Sequence, residues 1–133
     1  MRLFISSRHI ANLIEFARAA HPHECCGLIL GRGDQVLELR PAANISPTPS
    51  HRFEIDPAEL LTAQKSERAG GPALIGYYHS HPNGRSSPSP FDAAMALPDG
   101  RIWLIIAGGE LFGWRAVENG PLHRRFAPIT LNS

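Results

Sequence analysis

Residues Ile75 to Met95 read IGYYHSHPNGRSSPSPFDAAM, and this stretch is the most informative part of the chain. It begins as an apolar strand that ends in His79 and His81, and side chains two residues apart on an extended segment lie on the same face. Ser89-Pro90 is typical of a helix start, so Asp92 in the first turn can point back towards the histidines. Two imidazoles and one carboxylate, with a position left for water, form a common catalytic zinc shell.

Each half of this pattern also has a structural explanation. A His-x-His pair can be surface decoration, and a Ser-Pro-x-Asp sequence begins helices that carry no chemistry. For Asp92 the two roles are compatible, because a carboxylate near a helix start can still direct one oxygen outwards. We therefore interpret His79, His81 and Asp92 together as candidate metal ligands.

Hydrolysis at such a metal requires a base beside the attacking water. Glu24 directly precedes the apolar run CCGLIL (25–30), and a carboxylate near burial costs free energy unless it is paired or functional. The other glutamates occupy positions expected to be exposed on helices or strands. Glu24 is thus the candidate base.

Periodicity and turn signals predict a mixed α/β domain built around a single sheet, with two long helices, one short helix and about seven strands. The predicted strands are 2–5, the two arms of a hairpin within 25–40, 53–55, 73–79, 102–107, 111–117 and 122–126, and the predicted helices are 7–21, 57–68 and 90–97.

Composition narrows the classes of protein that need considering. With 133 residues, we expect one domain, 1–133. A formal net charge of +1 gives no indication of nucleic-acid binding, and no apolar run approaches the roughly 20 residues that span a bilayer. The N-terminus does not resemble a signal peptide, so a cytoplasmic location is expected.

The two cysteines, Cys25 and Cys26, are adjacent and do not suit an ordinary disulfide. We interpret them as small buried hydrophobes, and any further role stays open.

The pattern His79-x-His81-Pro82, with seven residues between His81 and Ser89 and two between Ser89 and Asp92, resembles the full JAMM motif of the MPN+ zinc metallopeptidases, especially the short bacterial members. The upstream HECCGLILG is similar to the segment that carries the catalytic glutamate of that family. The resemblance implies a cytidine-deaminase-like JAB/MPN fold, in which helices flank a single mixed β-sheet. It also implies one zinc ion per chain. It implies His79, His81 and Asp92 as ligands, Glu24 as base, and Ser89 as a hydrogen-bond partner of the water or the oxyanion.

The resemblance also implies an activity: a zinc peptidase or isopeptidase that trims the C-terminal tail of a ubiquitin-like sulfur carrier protein. A non-catalytic MPN scaffold and a RadC-like or phage-tail relative are the alternatives. The identity of the substrate, the residues removed, the metal used in the cell and the oligomeric state stay open, with an oligomer possible. Arg85, in the loop 83–88, is either a substrate-binding residue or a solvated loop arginine.

Overall fold

The seven strands form one sheet. The first and last strands in the strand order pair with each other, so the sheet is closed. The computed structural model describes the whole chain, residues 1–133. The strands are β1 (Arg2–Phe4), β2 (Cys26–Arg32), β3 (Gln35–Ala42), β4 (Ala73–Ser80), β5 (Ile102–Ala107), β6 (Glu110–Ala116) and β7 (Phe126–Asn132), and the helices are α1 (Ser7–Ala20), α2 (Pro57–Arg68) and α3 (Pro90–Met95). The strand order is β1-β3-β2-β4-β5-β6-β7, and β7 closes the sheet by pairing in parallel with β1. The predicted mixed α/β class with one sheet is confirmed.

The two long helices cover opposite faces of the sheet because β2 is apolar on both faces. Ile29 belongs to the core cluster that packs with residues of α1, such as Leu13. Its neighbours Leu28 and Leu30 point the other way and pack with Ala63 of α2. A strand buried on both sides reads as a continuous apolar run, which explains the sequence CGLIL.

None of the three helices combines the length and the apolar character that crossing a membrane requires.

Two predicted elements are wrong. Residues 53–55 form no strand, because the Glu54 N–H is taken by the side chain of Asn44 rather than by a ladder. The last strand lies at Phe126–Asn132 instead of 122–126. Pro128 lies within β7, but β7 pairs with β1 only from Thr130 onwards, so the missing proline N–H leaves no gap in that ladder.

Candidate metal centre

The two histidines lie where β4 ends between β2 and β5. His79 is fully buried and pairs with Ile105 of β5, and the backbone stays extended beyond the strand because the His81 N–H donates to the carbonyl of Ile106 at 2.9 Å. His79 and His81 therefore lie on the same face, as predicted, and their Nε2 atoms are 3.0 Å apart.

Asp92 reaches the histidines from the first turn of α3. The Ser89 hydroxyl oxygen accepts the Asp92 N–H at 3.0 Å, and the Ser89 N–H donates to Asp92 Oδ2 at 2.9 Å, which together form a capping box. The same Oδ2 lies 3.2 Å from Nε2 of both His79 and His81. The capping role and the candidate ligand role thus coexist in one buried carboxylate.

The donor geometry fits a small tetrahedral metal ion. Metal bonds of 2.0–2.2 Å in a tetrahedron separate neighbouring donor atoms by about 3.3 Å. The three donor atoms, from His79, His81 and Asp92, are 3.0 to 3.2 Å apart. His81 also donates its Nδ1–H to the carbonyl of Arg85 at 2.8 Å, which leaves its Nε2 lone pair directed at the centre. His79 Nδ1 is buried without a partner, so packing rather than a hydrogen bond must hold that edge of the ring.

Burial and mutual hydrogen bonding set opposite pKa shifts on the donor groups. Burial lowers the pKa of His79. Burial acts the same way on His81, but hydrogen bonds to Asp92 and to the Arg85 carbonyl outweigh it and raise that pKa. Burial alone would raise the pKa of Asp92, yet the hydrogen bonds from both histidines keep it far below its usual range. A metal ion must displace a proton held here, so its affinity should fall with acidification.

Glu24 faces the histidines as a result of strand register. Cys26 of β2 lies opposite His79 of β4, so in an antiparallel pair Glu24, two residues earlier, lies opposite His81, two residues later. The Glu24 side chain is buried, and its Oε1 has no hydrogen-bond partner. Burial raises the pKa of this carboxyl to about 7, with the Asp92 charge adding to the effect and His81 opposing it.

We expect the variant Glu24→Gln to be more stable than the wild type at pH 8 when both are free of metal. The folded carboxyl keeps its proton up to about pH 7, whereas the unfolded one loses it near 4.5, so the wild type loses stability as pH rises through this window. The expected difference is on the order of 2 kcal/mol at pH 8 and vanishes at pH 4. Urea unfolding in the presence of a chelator measures it, and a difference independent of pH would contradict it.

Asn44 organises the loop over the buried centre. Its Oδ1 accepts the N–H groups of Ser46 and Glu54 at 3.0 and 3.1 Å. Its Nδ2 donates to the carbonyls of Glu24 and Arg52, each at 3.0 Å, with a longer contact to a third carbonyl in the same loop. One side chain thereby fixes the loop to the backbone of the candidate base. Sequence reasoning missed Asn44, because an asparagine in a Pro-rich loop carries no distinguishing signal.

The loop brings Phe53 against the donor residues. The Phe53 ring stacks on His79 with centroids 4.3 Å apart, and Trp103 of β5 contacts the same imidazole edge-on at 5.8 Å. These two rings hold the imidazole whose Nδ1 lacks a partner. The prediction that Trp103 is a core or sheet-face residue is consistent with its burial, but its contact with His79 was not foreseen.

Replacing Asn44 with alanine should lower the free energy of unfolding by about 2 kcal/mol, because several backbone groups lose their partners at once. Ser46→Ala is the matched control, since its hydroxyl serves only Thr48 within the same loop. Urea unfolding of the two variants measures the difference. Equal stability of both would contradict the organising role of Asn44.

The loop between His81 and Asp92 is anchored from the C-terminal strands. The Trp114 Nε1–H donates to the carbonyl of Ser86 at 3.2 Å, and the His123 ring donates to the carbonyl of Pro88 at 3.0 Å. Arg85 is exposed and contributes only backbone groups to the contacts around it. Its predicted contact with substrate therefore stays a prediction.

The remaining sequence candidates lie beside the centre. Tyr77 borders the same apolar cavity as Asp92, and its ring contacts Trp103 edge-on at 5.7 Å. Cys26 is buried in β2, and Cys25 is half-buried with its N–H bonded to the Ser80 hydroxyl oxygen at 2.8 Å. Both thiols are free, and burial raises the pKa of each, which agrees with their interpretation as small hydrophobes.

Fold and buried donor set together define a protein of the JAB/MPN class. The model of the prokaryotic homologs of the JAB domain matches residues 6–119. The chain belongs to this family, and the predicted JAMM resemblance is confirmed. A JAB1/MPN domain protein from Archaeoglobus fulgidus has the same fold, with a TM-score of 0.61 at 18% identity over 100% of this chain and 98% of that one.

Two relatives give the family a chemical context. A desampylase from Haloferax volcanii is 32% identical over 93 residues, which cover 68% of this chain and 67% of the relative. A probable TtuB-protein conjugate cleaving protease from Thermus thermophilus is 41% identical over 75 residues, or 56% of this chain and 50% of that protein. The second of these names is that of a protease, and the two relatives together support the prediction of a JAMM-type hydrolase.

Proposed function

We propose that this protein is a zinc-dependent isopeptidase or peptidase of the cytoplasm that hydrolyses the amide following the C-terminus of a ubiquitin-like carrier protein. The observation that carries the proposal is a set of three buried donor atoms within 3.2 Å of one another, with the buried carboxyl of Glu24, whose Oε1 has no partner, just before the facing strand. His79, His81 and Asp92 would hold one zinc ion. Two free cysteines are in keeping with a reducing compartment.

The residues of the chain divide the work of amide hydrolysis. Zinc supplies Lewis-acid chemistry towards a water molecule and the scissile carbonyl when it is bound. Glu24 accepts the proton of the attacking water and passes it to the leaving amine, and a pKa of about 7 suits a group that must both take and release a proton near neutrality. The Ser89 hydroxyl accepts the Asp92 N–H, so its own hydrogen is free to donate to the oxyanion.

The names of the two relatives support the substrate class. One is called a desampylase and the other a probable TtuB-protein conjugate cleaving protease, and the second name describes cleavage of a protein conjugate. The same chemistry applies to an isopeptide bond to lysine and to a peptide extension beyond the carrier's last glycine. We therefore propose a carrier tail as the acyl side of the cleaved bond, with either kind of amine leaving.

The test uses a ubiquitin-like carrier in two forms, one extended by a short peptide beyond its Gly-Gly end and one joined to a lysine side chain. Zinc-loaded protein is mixed with each form, and intact mass identifies the products. Cleavage that stops with a chelator and returns with zinc is expected. An uncut carrier in both forms, despite one bound zinc per chain, would overturn the proposed reaction.

Ser89→Ala should separate capping from catalysis. Loss of the N-cap is expected to cost about 1 kcal/mol of stability. Loss of the hydrogen bond to the oxyanion is expected to lower kcat about 100-fold. Ser89→Asp is the matched variant, because aspartate caps the helix but cannot donate this hydrogen bond. Recovery of full kcat by Ser89→Asp would contradict the role of the hydroxyl.

A further inference from the structure

An apolar cavity of about 260 Å³ opens beside the candidate metal centre, between the segment 53–55, α2, the end of β4, α3 and β5. Eight of its eleven lining residues are hydrophobic, including Leu60 of α2 and Tyr77 of β4. None of the steps assigned above to the catalytic residues requires such a cavity.

The cavity adjoins the donor residues through three side chains in its wall. Asp92 lines it directly. Phe53 and Trp103 also line it, and both pack on the His79 ring, with their own centroids 5.9 Å apart. The wall of the cavity is thus formed in part by one candidate ligand and by the two rings that pack on another.

The rim of the cavity exposes two large hydrophobic side chains. Met95, the last residue of α3, is 60% exposed, and Leu97 is 69% exposed. Covering these exposed side chains and the concave apolar wall with another apolar group would lower the free energy. A second cavity, on the other side of the centre, includes His81 and is more polar. Arg18, His21 and Asn83 line it, and only four of its thirteen lining residues are hydrophobic.

We propose that this cavity is a substrate subsite that binds one large apolar side chain of the protein tail beside the cleaved amide. The inference rests on the proposed function. It names the residues that select the substrate: Met95 and Leu97 at the rim, with Phe53, Leu60, Tyr77 and Trp103 as walls. Because the cavity beside His81 is polar, we assign the selectivity for an apolar side chain to the apolar cavity.

The test is a double-mutant cycle between enzyme and substrate. Carrier substrates are made with leucine or alanine at each of the three positions on either side of the cleaved bond, and kcat/KM is measured with zinc-loaded protein. At one position the wild type should prefer leucine about tenfold, and Leu97→Asp should abolish that preference. Leu61→Asp is the matched control, because Leu61 is 56% exposed on α2 but does not line the cavity, and it should retain the preference.

A second readout does not depend on cleavage. Trp103 lines the cavity, so leucine-containing peptides should change the fluorescence of zinc-loaded Glu24→Gln protein, and Leu97→Asp should remove the change. Cleavage without any leucine preference that depends on Leu97 would overturn the subsite and leave the proposed function standing. A fluorescence change that depends on Leu97, with no cleavage of any carrier, would keep the cavity as a binding site and overturn the proposed reaction.

Discussion

Replacing Glu24 with glutamine is expected to reduce kcat about 1,000-fold while zinc stays bound. Glutamine has the same shape as the buried carboxyl but cannot accept a proton from water, and Glu24 is not one of the three donor residues. Single-turnover cleavage of a carrier extended beyond its Gly-Gly end measures the rate, and metal analysis of the same sample measures the zinc.

Two comparisons make this result specific. Glu118→Gln alters an exposed glutamate and should cleave at the wild-type rate. The metal-free Glu24→Gln protein is expected to be more stable than the wild type at pH 8, so unfolding cannot account for a lost activity. Cleavage by Glu24→Gln at a rate near that of the wild type would remove Glu24 from the mechanism.

Asp92→Asn is expected to weaken zinc binding by more than about 100-fold and to abolish cleavage at ordinary zinc concentrations. Its Oδ2 is the atom that lies 3.2 Å from both imidazole Nε2 atoms, and a neutral amide is a much poorer partner for a cation. Competition with a chromophoric chelator measures the affinity.

Asp56→Asn provides the matched control for this substitution. Asp56 caps α2 by accepting the Ala58 N–H at 2.9 Å, and asparagine caps a helix about as well as aspartate. Both variants therefore exchange a helix-start aspartate for its amide, but only Asp92 faces the histidines. Equal zinc affinity in the two variants would exclude Asp92 as a ligand.

Local signals in the sequence predicted the parts of the site that lie close together along the chain. Asp56-Pro57 and Ser89-Pro90 mark two helix starts correctly, because capping depends on neighbouring residues alone. His79 and His81 could be placed on one face at a strand end for the same reason. The candidate ligands were thus accessible from 14 consecutive residues, 79 to 92.

The parts that depend on strand register could not be derived this way. Glu24 faces His81 only because Cys26 pairs with His79, and no local pattern states which residues of β2 and β4 are opposite. The assignment of Glu24 as the candidate base therefore rests on the family resemblance. Phe53, which was assigned to a strand, instead stacks on His79 from a loop whose course is set by side-chain hydrogen bonds of Asn44. The closure of the sheet by β7 was missed for a similar reason, since it requires a partner at the opposite end of the chain.

The anchoring of the loop before Asp92 has a consequence for when the proposed metal centre can form during synthesis. His79, His81 and Asp92 all leave the ribosome before Trp114 and His123, whose side chains hold the carbonyls of Ser86 and Pro88. A nascent chain that ends before these anchors has every donor atom but not the fixed path between them, and domains fold as units during translation. We therefore expect the proposed metal centre to form only once the C-terminal strands are complete, so that a prematurely terminated chain does not capture zinc.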